Sequence, residues 1–263
     1  MSLQLSYWSG RGIVDLYARL ALGMDVVRQG AWPDGPKIVA ANHPTTTDPF
    51  YLMTAVSEQM SILVTEMAFE VPVFGEYLRA AEHIPVSTEK GRLAFELAAH
   101  QLKKGRTIGI FPEGALSPLA GGLGFHRART GAVRLALSGG VPIVPVGIAM
   151  DYERIHYSEV EAGDQSETAR WYPIGPYALT VGRAIYLEGE VEDREFVRAA
   201  SQDVMHEIAR LAWQSDRRIR RRAPAFRVWL SLLGSSRAAE GTRRLPAGFA
   251  ARPATKEPLG AYE

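Results

Sequence analysis

Short apolar runs alternate along the chain with longer segments in which apolar residues recur every three or four positions. A short unbroken apolar run is typical of a buried strand, and the three-to-four periodicity is typical of an amphipathic helix. Strands are predicted at residues 37–41, 61–65, 84–86, 107–111, 143–148 and 177–187. Helices are predicted at residues 12–24, 50–60, 73–81, 89–103, 129–138 and 193–213. This alternation predicts an α/β fold, a single domain with a largely parallel, mixed sheet flanked by helices.

The same pattern divides the chain into three parts. Residues 1–30 hold an N-terminal amphipathic helix that can contact a membrane, residues 31–213 form the domain itself, and residues 214–263 form a basic C-terminal extension. Within the domain, residues 151–176 are polar and rich in turn-forming residues, so we expect a surface insertion there. From residue 235 onward the chain is rich in Ala, Gly, Pro and Arg, and we expect this end to be mobile.

The composition is that of a globular protein without thiol chemistry. The 263 residues are enough to bury a sizeable core, and 46% hydrophobic with 22% charged residues exclude a fully disordered chain. The absence of cysteine excludes a disulfide scaffold, a zinc–cysteine site and a thiol nucleophile. Asp15 and Arg19 interrupt the apolar N-terminus, and no run of about 18 apolar residues occurs, so we expect neither a signal peptide nor a transmembrane helix.

The formal net charge of +1 hides an uneven distribution of charge. Residues 210–252 contain 11 arginines against Asp216 and Glu240 alone, so the rest of the chain is acidic. The arginines of residues 217–222 precede aromatic residues and leucines, a combination that suits an anionic membrane surface. The alternative is a solvated charge run on a terminal helix that packs on the sheet. No nucleic-acid-binding motif accompanies these arginines, so we expect no nucleic-acid partner.

Two predicted strands end in residues that can carry chemistry. The strand at 37–41 runs into the segment Asn42–Asp48, and the strand at 107–111 runs into Pro112-Glu113-Gly114. In open α/β sheets, ligands bind beyond the carboxyl ends of the strands. If the two strands are parallel and close together, both segments face one crevice.

His43 and Asp48 are a candidate catalytic pair. A histidine titrates close to neutral pH and can accept a proton, and a carboxylate can fix its tautomer. The chain has neither a G-x-S-x-G motif nor a cysteine, so His43 would deprotonate a hydroxyl group of a bound substrate directly. A turn through Pro44 is needed to bring Asp48 back to His43. The alternative is that Asp48 only caps a helix that has Pro49 at its first position.

Glu113 also has two interpretations at this point. It can position a substrate or organise nearby arginines, or it can be an exposed carboxylate in a turn.

Together these segments resemble the glycerophospholipid acyltransferase family, the PlsC-like enzymes that include 1-acylglycerol-3-phosphate acyltransferases. Residues 42–49 match the family's NHxxxxDP motif, and residues 111–114 match its FPEG motif. Residues 129–137 are similar to its basic-x-Gly helix start, and residues 141–146 to its VPIVPV block. The resemblance covers about residues 8–190 and rests on four motifs in the family's order.

The resemblance implies an acyl transfer with His43 as general base and Asp48 as the residue that orients it. The acceptor hydroxyl would attack the thioester of an acyl-CoA or acyl carrier protein, with no acyl-enzyme and with neither a metal nor another cofactor. Substrate binding would involve Asn42, Glu113 and Gly114. The implied partners are the acyl donor and a lysophospholipid-type acceptor, and the implied location is peripheral, on the cytoplasmic face of the cell membrane.

Two arginines that the family often uses to bind the acceptor phosphate are replaced here by Thr88 and Leu116. The cation would then come from elsewhere, and the candidates are Lys90, Arg92, Arg127 and Arg129. Otherwise the acceptor is a lipid without phosphate. Two further alternatives are a non-catalytic lipid-binding protein at the membrane surface and a thioesterase in which His43 activates water.

Overall fold

The structure is a computed structural model that describes residues 3–87, 89–119, 122–162 and 165–232. Residues 1–226 form one compact unit, and the following account concerns this unit. The helices are α1 (Leu3–Ala21), α2 (Asp48–Thr54), α3 (Glu66–Glu70), α4 (Phe74–Ala80), α5 (Gly91–Lys103), α6 (Gly131–Gly139) and α7 (Arg194–Leu232). The strands are β1 (Asp25–Arg28), β2 (Ile38–Ala41), β3 (Met60–Thr65), β4 (Ile84–Val86), β5 (Thr107–Ile110), β6 (Ile143–Met150), β7 (His156–Ala162), β8 (Gln165–Trp171) and β9 (Tyr177–Val181).

Seven strands form one sheet in the order β1-β9-β6-β2-β5-β3-β4. All neighbouring pairs are parallel except β6 and β9, which are antiparallel. The predicted α/β fold with a largely parallel, mixed sheet is therefore confirmed. Strands β7 and β8 form a separate antiparallel hairpin.

The central strands are buried throughout because helices cover both faces of the sheet. Every residue of β2, β5, β6 and β9 is buried. On β2, Val39 and Ala41 belong to the core shared with α1 and α2, whereas Ile38 and Ala40 belong to the core shared with α5, α6 and α7. The alternation of side chains along a strand thus divides one apolar run between two cores.

Helix α1 begins nine residues before the predicted start at Gly12 and ends at Ala21. Judged from the sequence alone, the two glycines near its middle should interrupt the helix. In the structure the helix is continuous, and one of these glycines allows close packing. A Cβ atom at Gly10 would lie 2.5 Å from the hydroxyl oxygen of Tyr77 on α4. The missing side chain therefore lets α1 approach α4 closely.

Helix α2 is shorter than predicted and is not capped by Asp48. It spans Asp48–Thr54 instead of 50–60, and its N-cap residue is Thr47, so the capping alternative for Asp48 is wrong. The helix ends where Arg11 of α1 reaches its carbonyl groups. The Arg11 guanidinium donates hydrogen bonds to the carbonyl oxygens of Met53 (3.2 Å), Thr54 (3.3 Å) and Val56 (2.7 Å). Carbonyl groups at a helix end need such external donors.

Other differences concern elements with weak sequence patterns. The short edge strand β1 and helix α3 were not predicted, β9 ends at Val181 rather than at 187, and the expected surface insertion contains the β7–β8 hairpin.

Helix α7 continues past the predicted end at Trp213 to Leu232, so that prediction is wrong. Contacts with the sheet explain the continuation. A Cβ atom at Gly147 of β6 would lie 1.9 Å from the backbone nitrogen of Ala212, so helix and strand pack with no side chain between them. One turn later, the buried Ser215 donates a hydrogen bond to the Gly147 carbonyl oxygen (2.8 Å).

Much of the arginine run at 217–222 is bound within the compact unit. Arg218 and Arg222 form ion pairs with Asp25 of β1 (2.9 and 3.6 Å), and Arg220 pairs with Asp216 (2.6 Å). These contacts favour the packed terminal helix over a run that is free to bind a membrane. The division of the chain at residues 30 and 213 stays a prediction.

Candidate functional site

The two reactive segments meet at the carboxyl ends of β2 and β5, which are neighbouring parallel strands. The backbone N–H of His43 donates hydrogen bonds to Glu113 Oε1 (3.2 Å) and to Ser117 Oγ (3.0 Å). In return, the Ser117 N–H donates to the His43 carbonyl oxygen (2.7 Å). The loop after β2 and the loop after β5 are thus tied together at His43, on one side of the sheet edge.

A tight turn brings Asp48 back to His43. Thr45 donates two hydrogen bonds to the Asp48 carboxylate, from its backbone N–H to Oδ2 and from its hydroxyl to Oδ1, both 2.6 Å long. These bonds close the turn, and they leave Asp48 Oδ2 3.2 Å from Nδ1 of His43. The predicted pairing of His43 with Asp48 is therefore present in the structure.

The Asp48 carboxylate is fully buried and is surrounded by donors. Besides Thr45 and His43, the Tyr177 hydroxyl donates to its Oδ1 (2.8 Å). Burial, reinforced by the charge of Asp48, raises the pKa of Tyr177 well above its ordinary value. Tyr177 therefore stays protonated and acts as a hydrogen-bond donor. A buried carboxylate with this many donors can keep its charge without a cationic partner.

Among the described residues, Nε2 of His43 has no hydrogen-bond partner. An ionised carboxylate can only accept hydrogen bonds, so the bond to Asp48 places the His43 proton on Nδ1. Nε2 then carries the lone pair, and the side chain is 18% exposed. The ring stacks on Phe111 with centroids 4.0 Å apart and planes 18° apart. The arrangement can therefore accept a proton from a group bound in the crevice.

Glu113 is buried, so its interpretation as an exposed turn carboxylate is wrong. Oε1 accepts hydrogen bonds from the His43 N–H and from the Ser117 hydroxyl (2.5 Å). Oε2 accepts one from the backbone N–H of His126 (2.7 Å). Glu113 thus joins three loop segments around His43 through backbone and hydroxyl donors rather than through arginines.

Gly114 and Arg129 lie against each other beside this carboxylate. Gly114 has a φ of +65°, and a Cβ atom there would lie 2.4 Å from Nε of Arg129. Any side chain at position 114 would therefore displace the Arg129 guanidinium. The backbone N–H of Arg129 donates to the Pro112 carbonyl oxygen (2.7 Å), which holds Arg129 at the end of β5.

Asn42 connects strands. Its side-chain amide donates to the Ile148 carbonyl oxygen (3.0 Å), and its side-chain oxygen accepts from the Ile148 N–H (2.7 Å). The residue is fully buried, and these two bonds tie the end of β2 to β6 just before His43.

Lys90 and Arg92 lie away from His43, near the end of β4. Lys90 pairs with Glu66 (2.6 Å), and Arg92 pairs with Glu96 within α5 (2.9 Å). Strand β4 is three positions from β2 in the sheet, a separation of about 14 Å at the usual strand spacing. Thr88 lies outside the described residues, and Leu116 lies in the loop between Glu113 and Ser117.

Three residues of the site were not foreseen. Ser117 bridges the two loops, Tyr177 reaches Asp48 from β9, and Arg170 of β8 donates to the Ser117 carbonyl oxygen (2.5 Å). Ser117 lies four residues after Glu113, which is a local signal. The other two lie more than 120 residues from His43 along the chain, so no local pattern could have identified them.

Of the other histidines, His83 is the one buried deeply in the core. Its Nδ1 accepts a hydrogen bond from the Ile62 N–H (3.2 Å), and burial lowers its pKa to about 4. His83 is therefore neutral at physiological pH and holds the backbone of β3.

A comparison with protein-family models finds a match in the part of the chain that contains this site. Residues 23–149, which contain His43, Asp48 and Glu113, match the sequence model of the family described as Acyltransferase. The chain carries an acyltransferase domain. The acyltransferase assignment agrees with the resemblance carried by the two motifs at the ends of β2 and β5.

The fold of the chain is similar to a solved structure. The crystal structure of the 1-acyl-sn-glycerophosphate acyltransferase PlsC from Thermotoga maritima matches with a TM-score of 0.52 and 23% sequence identity. The match covers 75% of this chain and 79% of that one. A comparison with curated proteins gives no sequence match. Among the residues that the structure describes, no helix is both long and apolar enough to cross a membrane.

We expect Tyr177→Phe to lower kcat about tenfold and to lower the unfolding temperature. The Asp48 carboxylate loses one hydrogen bond of the charged type, worth about 1.5–3 kcal/mol, and holds His43 less firmly. Steady-state kinetics and thermal unfolding measure both effects.

The matched control is Tyr51→Phe, whose hydroxyl donates to the Tyr172 carbonyl oxygen (3.0 Å) rather than to Asp48. This control should keep kcat within about twofold. Equal loss of kcat in both variants would contradict the role of Tyr177 at Asp48.

Proposed function

We propose that the protein transfers a fatty acyl group from a thioester to the hydroxyl of a lysophospholipid-type acceptor in phospholipid biosynthesis. The observation that carries this proposal is the His43–Asp48 pair, in which Nε2 of His43 is free to act as a base. Nε2 removes the proton from the acceptor hydroxyl, and the oxygen attacks the thioester carbonyl carbon. The C–S bond then breaks, and the thiolate leaves with the proton that His43 has held.

The contacts of the nearest serine support direct attack by the acceptor. The Ser117 hydroxyl donates to Glu113 and accepts from the backbone of His43, so it is not bonded to the imidazole ring. A serine nucleophile would need that contact with the base. The nucleophile is therefore supplied by the acceptor, and no resident cofactor takes part in the proposed steps.

Arg129 is the cation best placed for an acceptor phosphate. It lies beside Gly114 at the end of β5, one strand from His43, and among the described residues its side chain has no acidic partner. Arginine can bind a phosphate through two parallel hydrogen bonds. Lys90 and Arg92 are three strands away and already paired. The similar PlsC structure is that of a 1-acyl-sn-glycerophosphate acyltransferase, which supports a phosphate-bearing acceptor.

We further propose that α1 holds the enzyme on the cytoplasmic face of the membrane as a peripheral protein. Its exposed residues Ile13, Leu16, Tyr17 and Leu20 follow a three-to-four spacing, and Ile13 and Leu20 are 72% and 71% exposed. The opposite side of α1 is buried against the domain through Tyr7. An apolar helix stripe left in solvent is typical of a surface that inserts into a lipid interface.

The proposed reaction is tested with purified protein and palmitoyl-CoA, with and without lysophosphatidic acid. We expect thiol release that depends on the acceptor, with phosphatidic acid identified by mass spectrometry. His43→Asn should lower the rate at least about 1,000-fold, because the base is lost. Arg129→Gln should raise the KM for lysophosphatidic acid about tenfold.

The matched controls are His206→Asn and Arg210→Gln, two exposed positions on α7 far along the chain from the site. Thiol release without acceptor would identify a thioesterase instead. Vesicle binding without any thiol release would identify a lipid-binding protein. Transfer to a neutral lipid but not to lysophosphatidic acid would contradict the phosphate-bearing acceptor.

For the membrane contact, we expect Ile13→Asp/Leu20→Asp to reduce co-sedimentation with anionic phospholipid vesicles at least about tenfold. Two carboxylates in the apolar stripe would have to lose their hydration to enter the interface. Leu93→Asp, an exposed apolar position on α5, is the control and should bind as the wild type does. Unchanged binding of the α1 variant would show that α1 is not the contact.

A further inference from the structure

A cleft of about 580 Å³ lies between the start of α6 and the start of α7. Thr130 and Arg134 line it on the α6 side, and Glu192, Arg194 and Arg198 line it on the α7 side. Its volume falls within the range of small-molecule binding sites, which is about 300–1,000 Å³.

The cleft concentrates positive charge in a part of the chain that is otherwise acidic. It contains three arginines against one glutamate. Among the described residues, none of these arginines forms an ion pair, and Arg134 lies over the ring of Phe95 at 5.8 Å. All three arginines are exposed, and a cleft lined by charges of one sign attracts ions of the opposite sign. The charge pattern therefore points to an anionic ligand.

The cleft is linked to the catalytic loops through a short run of contacts. Arg129 lies against Gly114, its backbone is bonded to Pro112, and the next residue, Thr130, lines the cleft. On the α7 side, the Gln202 amide donates to the carbonyl oxygen of Ala128 (3.2 Å). Helix α7 is thus fixed next to the segment that leads from the cleft to Glu113.

We propose that this cleft binds the phosphate groups at the nucleotide end of an acyl-CoA. Acyl-CoA carries its thioester and its phosphates at opposite ends of a long pantetheine arm. A phosphate site whose lining residues do not contact His43, but which lies next to the same loops, fits this arrangement. Arginine guanidinium groups match phosphate oxygens in geometry and charge. The inference rests on the proposed acyl transfer and makes CoA, rather than a carrier protein, the donor.

The test measures binding of 3′-phosphoadenosine 5′-phosphate by calorimetry, so that no acyl transfer is needed. Arg134→Gln/Arg198→Gln should weaken binding at least about tenfold and should raise the KM for palmitoyl-CoA with kcat unchanged. Arg210→Gln, which removes an exposed charge from the same helix, is the control. Adenosine without phosphates should not bind.

The other possible results separate a failure of the cleft assignment from a failure of the proposed function. Failure of the wild type to bind the nucleotide, or equal binding by the double variant, overturns the cleft assignment. Competition by glycerol 3-phosphate at the same arginines also overturns it, because the cleft would then bind the acceptor phosphate. Nucleotide binding that depends on Arg134 and Arg198, in a protein that transfers no acyl group, supports the cleft and overturns the proposed function alone.

A second inference comes from the β7–β8 hairpin. Arg170 of β8 donates through one guanidinium nitrogen to the carbonyl oxygens of Ser117 (2.5 Å) and Pro44 (3.4 Å). Its backbone N–H donates to the Thr46 hydroxyl (3.0 Å), and its carbonyl oxygen accepts from the Thr46 N–H (2.9 Å). One residue therefore holds the loop of His43 and the loop of Glu113 at the same time.

We infer that Arg170 is a positioning residue for His43. The two loops come from different strands, and the reacting groups must meet with an accuracy of about 1 Å, since such a misplacement can cost about 100-fold in rate. A guanidinium group that bonds a carbonyl of each loop fixes their separation. The hairpin, expected to be a mere surface insertion, then contributes to the catalytic geometry.

We expect Arg170→Ala to lower kcat about 100-fold while the KM values for donor and acceptor change less than about threefold. Added methylguanidinium should restore part of the activity, which a purely structural loss would not allow. Arg170→Lys, which keeps the charge, is the second variant if the alanine variant unfolds, and it should retain intermediate activity. Thr168→Ala removes a hairpin hydrogen bond to Glu159 and is the matched control.

A raised KM for lysophosphatidic acid with kcat intact would overturn the positioning role, because Arg170 would then bind the acceptor directly. Wild-type kcat in Arg170→Ala would overturn it as well.

Discussion

The buried charge of Asp48 is the constraint on which the site depends. A carboxylate removed from water must find donors within the protein, and Asp48 finds them in Thr45, His43 and Tyr177. Meeting this need folds the loop after β2 into a tight turn, sets the tautomer of His43, and recruits a tyrosine from β9. Glu113 plays the same part for the loop after β5, where its buried oxygens accept from three donors. Two buried carboxylates thus shape one crevice.

The sequence was sufficient for six of the seven strands of the main sheet and for the meeting of the two motifs. Runs such as 108–111 are apolar because both faces of the sheet are covered, and parallel neighbours necessarily place their following loops together. The sequence was not sufficient where contacts between residues far apart in the chain determine a helix boundary or a site residue. Helix α2 ends because Arg11 reaches its carbonyl groups, and α1 continues through Gly10 because Tyr77 fills the space. Tyr177 and Arg170 join the site from far along the chain, which no local pattern records.

The arginines of the chain show that composition alone does not reveal what a charged side chain binds. For those on α7 after residue 216, the sequence left open a membrane surface or a packed terminal helix, and in the structure Arg218 and Arg222 hold the edge strand β1 through Asp25. The arginines of α6 and of the start of α7 looked unremarkable in sequence, yet Arg134, Arg194 and Arg198 line one cleft, and none of them forms an ion pair among the described residues.

The hydrogen bond from Tyr177 to Asp48 makes the geometry of the His43–Asp48 pair depend on how β9 pairs with β6. Tyr177 lies opposite Met150 in the antiparallel β6–β9 pair, so its side chain reaches Asp48 in one register only. A slip of one residue would turn Tyr177 to the other face of the sheet, and Leu179 and Val181 would leave the core on its side as well. A chain that folds compactly but pairs β9 wrongly would lack a donor at Asp48. The turnover rate of this protein therefore also reports whether β9 has paired with β6 in the correct register.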